Sequence, residues 1–316
     1  MRRFAILVVY VLASFLGFAR PSRAQGVPRK PGAAKPQSHP QIAPSPGSSD
    51  AQIHALADRV IAAQHADDVA LEEFERIEHH SVYSGSNRRV TEEKTYRVVP
   101  TGTGTLKLLL KDGSSPVEPG VYRRELRDWE QVLEIAVNPN DPRQQAVYAK
   151  WQKRVKDRKD LVDAARHAFR ATESAQEMRN DRLCDVLELE PNPSFSPHST
   201  LENVFTGTRA KIWIDDASGH IVHGDADIIR DISFGGGIFG KLYRGGHFSL
   251  DNSEVAPGIW LPTRVQFDYS VRKFLFTFDT HEVTETARYR RVGKPAEALA
   301  VVRDELAHGA PIPAEP

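Results

Sequence analysis

The chain has 316 residues, 42 Lys+Arg, 42 Asp+Glu and a formal net charge of zero. That length allows one large domain or two modest ones with tails, and the charge balance disfavours a strongly basic nucleic-acid binder or an acidic disordered chain. A single Cys excludes an intrachain disulfide, a Cys-rich zinc site and a CxxC redox pair. Residues 1–24 read as a secretory signal: Arg2 and Arg3, then an apolar run over 4–18, then Ser22-Arg23-Ala24 as a cleavage site before Gln25. Residues 25–49 carry Pro28, Pro31, Pro36, Pro40, Pro44 and Pro46 among Gly, Ser, Ala and Gln, the composition of an extended disordered linker. Loss of the signal removes Arg2, Arg3, Arg20 and Arg23 and leaves a mature chain at −4. The expectation is an exported, periplasmic, soluble protein.

Ile53, Leu56, Ala57, Val60 and Ile61 recur at helical spacing, so 51–67 reads as an amphipathic helix. Two β-prone runs, 71–83 and 90–99, flank Ser84-Gly85-Ser86-Asn87 as a hairpin, and 103–111 is a third strand. From about 117 to 180 the period is helical again. Tyr122, Leu126, Trp129, Leu133 and Ala136 share one face. Asn138-Pro139-Asn140-Asp141-Pro142 breaks the run, and Val147, Trp151, Val155, Val162, Ala165 and Phe169 share a second face. This is a helical hairpin inserted between strands.

The pattern turns β after 182. Strands over 183–190, 208–215 and 220–230 include a hairpin around Asp216-Ala217-Ser218-Gly219. Runs over 241–250 and 259–270 follow, with Val265, Phe267, Tyr269 and Val271 alternating against Arg264, Gln266, Asp268 and Ser270. Phe274, Phe276 and Phe278 continue the alternation, on a strand that extends toward Arg291. Pro295 to His308, followed by Gly309, is a short terminal helix. About nine strands on short turns give α+β: a curved antiparallel sheet, an incomplete β-barrel, covered by helices and carrying the helical hairpin. The domain expectation is 50–292 for this β domain, with the insertion at about 117–180 and a tail over 293–316.

No catalytic signature is complete. Gly235-Gly236-Gly237-Ile238-Phe239-Gly240-Lys241 starts like a phosphate loop, but Leu242 replaces the Ser or Thr and a strand follows where a helix is needed. His223, Asp225 and Asp227 fall on one strand face with His220 on the other, an arrangement more often solvated than metal-binding. His281-Glu282-Val283-Thr284-Glu285 lacks the second His of a zincin. Cys184 reads as a small buried hydrophobe. No enzyme activity, metal, cofactor, nucleotide or nucleic-acid partner is expected. Two features remain. The aromatic run 265–278 suits a core or an apolar groove for an acyl chain. The basic run Lys150, Lys153, Arg154, Lys156, Arg158 and Lys159 suits a solvated helix face or an anionic surface.

Ala210-Lys211-Ile212-Trp213-Ile214-Asp215, then Ser218-Gly219-His220-Ile221-Val222, is similar to the paired strands of the outer-membrane lipoprotein-sorting (LolA-like) family. Ile232-Ser233-Phe234-Gly235, Gly258-Ile259-Trp260-Leu261-Pro262 and the meander over 269–289 resemble that sheet's later strands, in a branch of uncharacterised exported bacterial proteins. The resemblance implies a half-open barrel with an apolar cavity that holds lipid or lipoprotein acyl chains without catalysis. The helical hairpin and the Pro-rich leader depart from that pattern. Trp213, Phe267, Tyr269, Phe274 and Phe276 are the candidate cavity-lining residues. Lys153, Arg154, Lys156 and Lys159 are candidates for contact with an envelope partner or an anionic membrane surface. The alternative to a lipid or lipoprotein binder is a non-catalytic envelope interaction protein that docks through this basic hairpin.

Overall fold

The computed structural model describes residues 50–84, 88–199, 201–234, 240–273 and 276–309. The expected signal, the linker, the Gly85-Ser86-Asn87 turn, the Gly235 to Phe239 loop and Phe274 lie outside the described residues.

Among the described residues the architecture is one open antiparallel sheet of thirteen strands with helices on both faces, in the order β4-β3-β2-β1-β13-β12-β11-β8-β7-β6-β5. The short strands β9 and β10 attach to one end of β12. This matches the expected fold class, with more strands than the nine expected. The first half holds β1 (Phe74–Ser84), β2 (Arg89–Pro100), β3 (Thr105–Asp112) and β4 (Ser115–Pro116), preceded by helix α1 (Asp50–Leu71). Helices α2 (Pro119–Val137) and α3 (Pro142–Ala168) follow. Both begin with proline at the first turn, where a missing N–H costs nothing. The second half holds β5 (Phe169–Arg179), β6 (Arg182–Pro191), the short helix α4 (Asn203–Thr206), β7 (Thr208–Asp215), β8 (Ile221–Ile228) and β9 (Ile232–Phe234). It continues with β10 (Gly240–Leu242), β11 (His247–Ala256), β12 (Ile259–Lys273) and β13 (Phe276–Arg291), then the terminal helix α5 (Pro295–His308). Helix α5 ends at Gly309 in the left-handed conformation (φ 67°), as its proline start and glycine stop predict.

One expectation is corrected. Helical periodicity extended to about residue 180, yet the helix stops at Ala168 and 169–179 is strand β5, paired to β6 from Phe169↔Pro191 to Arg179↔Arg182. The segment Arg170 to Glu177 is rich in helix-tolerant Ala, Glu and Gln. Pairing with β6, whose Cys184 to Leu187 are buried, outweighs a propensity of about 0.5 kcal/mol per residue.

The cross-strand register assigns the cores. Leu187↔Ile212↔Gly224↔Leu250↔Val265↔Thr284 puts these residues on one face, here face A. There Ile53, Leu56, Ala57, Val60 and Ile61 of α1 and Leu161 and Ala165 of α3 pack on the strands. Val186↔Trp213↔His223↔Asp251↔Arg264↔Glu285 defines face B. Ala287 continues that face to its partner Ile77, then to Arg97 and Leu108. A second core sits there, where Tyr122, Leu126, Trp129 and Leu133 of α2 meet Leu108 and Leu110 of β3 and Leu299 and Val302 of α5. The arms of the helical pair therefore serve opposite faces of the sheet. Arg97 is buried in the second core. It donates to Glu75 (2.8 Å), Glu305 (2.6 Å) and the Tyr122 hydroxyl (3.0 Å), which fixes α5 and α2 to β2.

Candidate functional site

Face A is not wholly covered. Along β12, Val265, Phe267, Tyr269 and Val271 project to this face beside Thr284, Glu282, Thr280 and Phe278 of β13. Val271 is buried in the core; Val265, Phe267 and Tyr269 are half-buried. Further along, Phe278 is 42% exposed and Phe276 68%. The buried Phe248 of β11 lies beside them on the same face, 5.9 Å from the Phe267 ring and 5.7 Å from Tyr269, ring centre to ring centre. Gly246 permits that close layer, because a Cβ there would lie 3.0 Å from the Cβ of Tyr269. Burial pushes the Tyr269 phenol up to about 12. From 265 to 271 the strip is about 20 Å long at the usual strand rise.

Of the sequence candidates, Phe267, Tyr269 and Phe276 share this strip. Trp213 does not. It is one step from Ile212 and Ile214, and the twofold alternation of a strand sends it to face B. There its Nε1 donates to Glu177 (2.7 Å), with Arg179 and Lys211 each 4.8 Å from the ring centre. It packs in a small cluster with Cys184, Val186, Val222 and Trp260. Cys184 is buried, as expected, and burial pushes its thiol up to about 11.

Face B carries a histidine–carboxylate network that sequence reading reached only in part. His223, Asp225 and Asp227 share a face, as strand parity requires. The added members come from β11. His223 places Nε2 3.0 Å from Asp225 and Nδ1 2.6 Å from Asp251. His247 places Nδ1 2.9 Å from Asp227 and Nε2 3.6 Å from Asp225. Trp213 lies edge-on to His223 at 4.9 Å, Arg179 is 3.8 Å from Asp251, and Arg209 is 3.7 Å from Asp227. Burial pulls His223 down, but its hydrogen bonds to Asp225 and Asp251 outweigh it and the net shift is upward. The hydrogen bond to Asp227 raises His247. Burial opposes ionisation of Asp225, yet the bond to His223 holds that carboxyl below its ordinary range. Among the described residues no group of three or more His, Cys, Asp or Glu is placed to hold a metal ion. His220 stands outside the network, stacked on Trp260 at 5.6 Å and 3.5 Å from Asp67.

Three of the six cations in the basic run of α3 pair along their own helix. Lys153, Lys156 and Lys159 pair with Asp157, Asp160 and Asp163 one turn on, at 2.6, 2.5 and 2.8 Å. Arg154 donates to the Thr103 carbonyl (2.8 Å), and Arg158 lies 3.4 Å from Asp68. The i,i+4 rule applied to residues 157–163 exposes this arrangement in the sequence itself.

No family model matches the chain, and no curated protein matches it. Solved structures do. A DUF1329 family protein from Desulfovibrio piger is 12% identical, with 76% of this chain and 92% of that chain covered and a TM-score of 0.30. A domain from Vibrio parahaemolyticus, described as an outer membrane lipoprotein-sorting protein domain, is 8% identical over 76% and 97% of the two chains, with a TM-score of 0.31. A LolA superfamily protein from Nitrosomonas europaea is 10% identical over 75% and 96%, with a TM-score of 0.23. The lipoprotein-sorting resemblance of the sequence thus meets the same group among solved structures.

Proposed function

We propose that this chain is an exported, non-catalytic protein of the cell envelope that binds the acyl chain of a lipid or lipoprotein along the half-covered strip of face A. The observation that supports this reading is the strip itself: half-buried Val265, Phe267 and Tyr269, continued by exposed Phe278 and Phe276. An unbranched chain laid along it would cover apolar surface that α1 and α3 leave open. Each methylene so removed from water contributes about 0.8 kcal/mol. Glu282, Thr280 and Thr284 edge the strip with polar groups, the usual composition of a site that orients a ligand with an apolar body and a polar head. Docking through α3 is the weaker reading, because three of its four candidate cations are matched by carboxylates on the same helix and the fourth holds a backbone carbonyl.

The test is titration of the purified chain with a fluorescent long-chain fatty acid. Phe267→Asp places a charge in the middle of the strip. It should weaken binding by at least about tenfold, the loss of roughly two methylenes of contact. Saturable binding that Phe267→Asp leaves unchanged, or no binding by the unaltered chain, would end the proposal.

A further inference from the structure

We propose that strand β5 is an interaction surface for a second copy of this chain, which adds antiparallel to it so that the two sheets join. The proposal does not depend on acyl-chain binding, because β6, β7, β8 and β11 stand between β5 and the strip on β12.

Strand β5 ends the sheet and pairs with β6 alone, so along its eleven residues alternate backbone N–H and C=O groups point outward. Register assigns its side chains to faces. Phe169 belongs to the face A core and Ala171 lies opposite Leu189 of that core, so Arg170 between them projects on face B. The register then shifts by one residue between Glu173↔Leu187 and Gln176↔Asp185. Arg170 and Glu177 are an odd number of positions apart, and in a regular strand they would point to opposite faces. The bulge brings Glu177 onto face B as well, where it accepts from Trp213 Nε1 at 2.7 Å and from Lys211 at 3.0 Å. Met178, 56% exposed, thereby returns to face A, the face of Phe169.

The bulge selects the occupant. A regular strand laid along β5 would lose register there, which is how a bulge keeps an edge strand from pairing. A two-fold axis normal to the sheet instead sets the bulge of one copy against the bulge of the other, and pairing runs on both sides of it over about 30 Å. Charge fixes the register. Phe169 then faces Met178 of the second copy, Arg170 faces its Glu177 and Ala171 faces its Gln176, and each pair occurs twice. Both members of each pair share a face, as antiparallel neighbours must. Sliding the copies by two residues would oppose Arg170 to Arg179 of the second copy, a like-charge pair. Arg170 is exposed and makes no ion pair among the described residues, so the pairing supplies a carboxylate to a cation that its own chain leaves without one.

The measurement is sedimentation equilibrium of the purified chain over a range of concentrations, with hydrogen exchange of the β5 amides at both ends of the range. The chain should interconvert between monomer and dimer, and the β5 amides should exchange more slowly where the dimer prevails. Arg170→Glu replaces two opposite-charge pairs by two like-charge pairs and should raise the dissociation constant about tenfold or more, whereas Arg170→Lys should change it by less than about threefold. Met178→Asp should also weaken the dimer. Arg170 and Met178 are exposed, so circular dichroism of these variants should match that of the unaltered chain. Phe267→Asp, which tests acyl-chain binding, should leave the dimer intact, so the two proposals fail separately. A chain that is monomeric at about 1 mM, a dimer whose β5 amides exchange at the monomer's rate, or a dimer that Arg170→Glu leaves unchanged would each overturn the proposal. So would β5 amides already protected in the monomer, because another segment of the same chain would then cover this border.

Discussion

Replacing His223 by Phe isolates the charge network of face B. An aromatic ring is kept to face the edge of Trp213, while both nitrogens are lost. Two hydrogen bonds to ionised groups go with them, at 3.0 Å to Asp225 and 2.6 Å to Asp251. A hydrogen bond to a charged partner contributes about 1.5–3 kcal/mol. The Asp225 and Asp251 side chains are 33% and 30% exposed, so water takes over part of each bond. Two such bonds would contribute about 3–6 kcal/mol, and the exposure of both carboxylates brings the expected loss to about 2–3 kcal/mol, at or below the low end of that range. Urea unfolding at a series of pH values measures it. His223 is raised in the folded state above its ordinary 6.5, so its contribution is complete below 6.5 and fades as pH rises through the folded-state value. Asp225 is lowered below 3.8, so its share is complete above 3.8 and fades as pH falls through the folded-state value. The gap between the unaltered chain and His223→Phe should be widest near pH 6 and narrower at pH 9. A gap that stays constant from pH 6 to 9 would mean that the buried imidazole is neutral, and the charge reading would be wrong.

Other substitutions probe the remaining parts. Arg97→Ala leaves Glu75, Glu305 and the Tyr122 hydroxyl without their shared partner in the second core and should cost about 3–5 kcal/mol; hydrogen exchange should quicken first in α5. Asp67 is raised to about 6, by burial first, and accepts the Trp260 N–H at 2.9 Å. An acid raised in the folded state loses stability as pH climbs from 4 to 6, so Asp67→Asn, which keeps an acceptor, should stabilise the chain by about 1–2 kcal/mol at pH 8 and not at pH 4. Thermal denaturation at the two pH values reads this directly. Ala165→Leu overfills the contact of α3 with face A, where Ala165 is wholly buried, and should lower stability by about 1–3 kcal/mol in urea unfolding.

The strands with clear alternation and a turn at each end were the most legible. Strand β7 occupies the expected 208–215, and Gly219 takes the positive φ (75°) that its turn needs. Strand β5 was not legible, because nothing local distinguishes its Ala, Glu and Gln from a helix; only pairing with β6 does. Parity correctly grouped His223 with Asp225 and Asp227. It could not supply Asp251 and His247, which arrive from β11 through strand register. Trp213 shows the converse. It was grouped with Phe267 and Tyr269 as an aromatic cavity candidate, but one residue of phase puts it on the other face. In α3 the apolar periodicity was real, yet Val147 and Val155 are 43% and 46% exposed, because the buried contacts of that helix lie toward its end at Leu161, Ala165 and Ala168.

The two lateral borders of the sheet are unequal. On one side β4 adds only Ser115 and Pro116, beside Lys111 and Asp112, and the rest of the eight-residue β3 forms that border. On the other side β5 presents eleven residues with one neighbour. Antiparallel addition of a second molecule at β5 would use that border on both partners and close the pair. Further molecules would find the border of β3 and β4, shorter than that of β5. A pair joined through β5 is closed, because an isologous contact uses the same border on both partners.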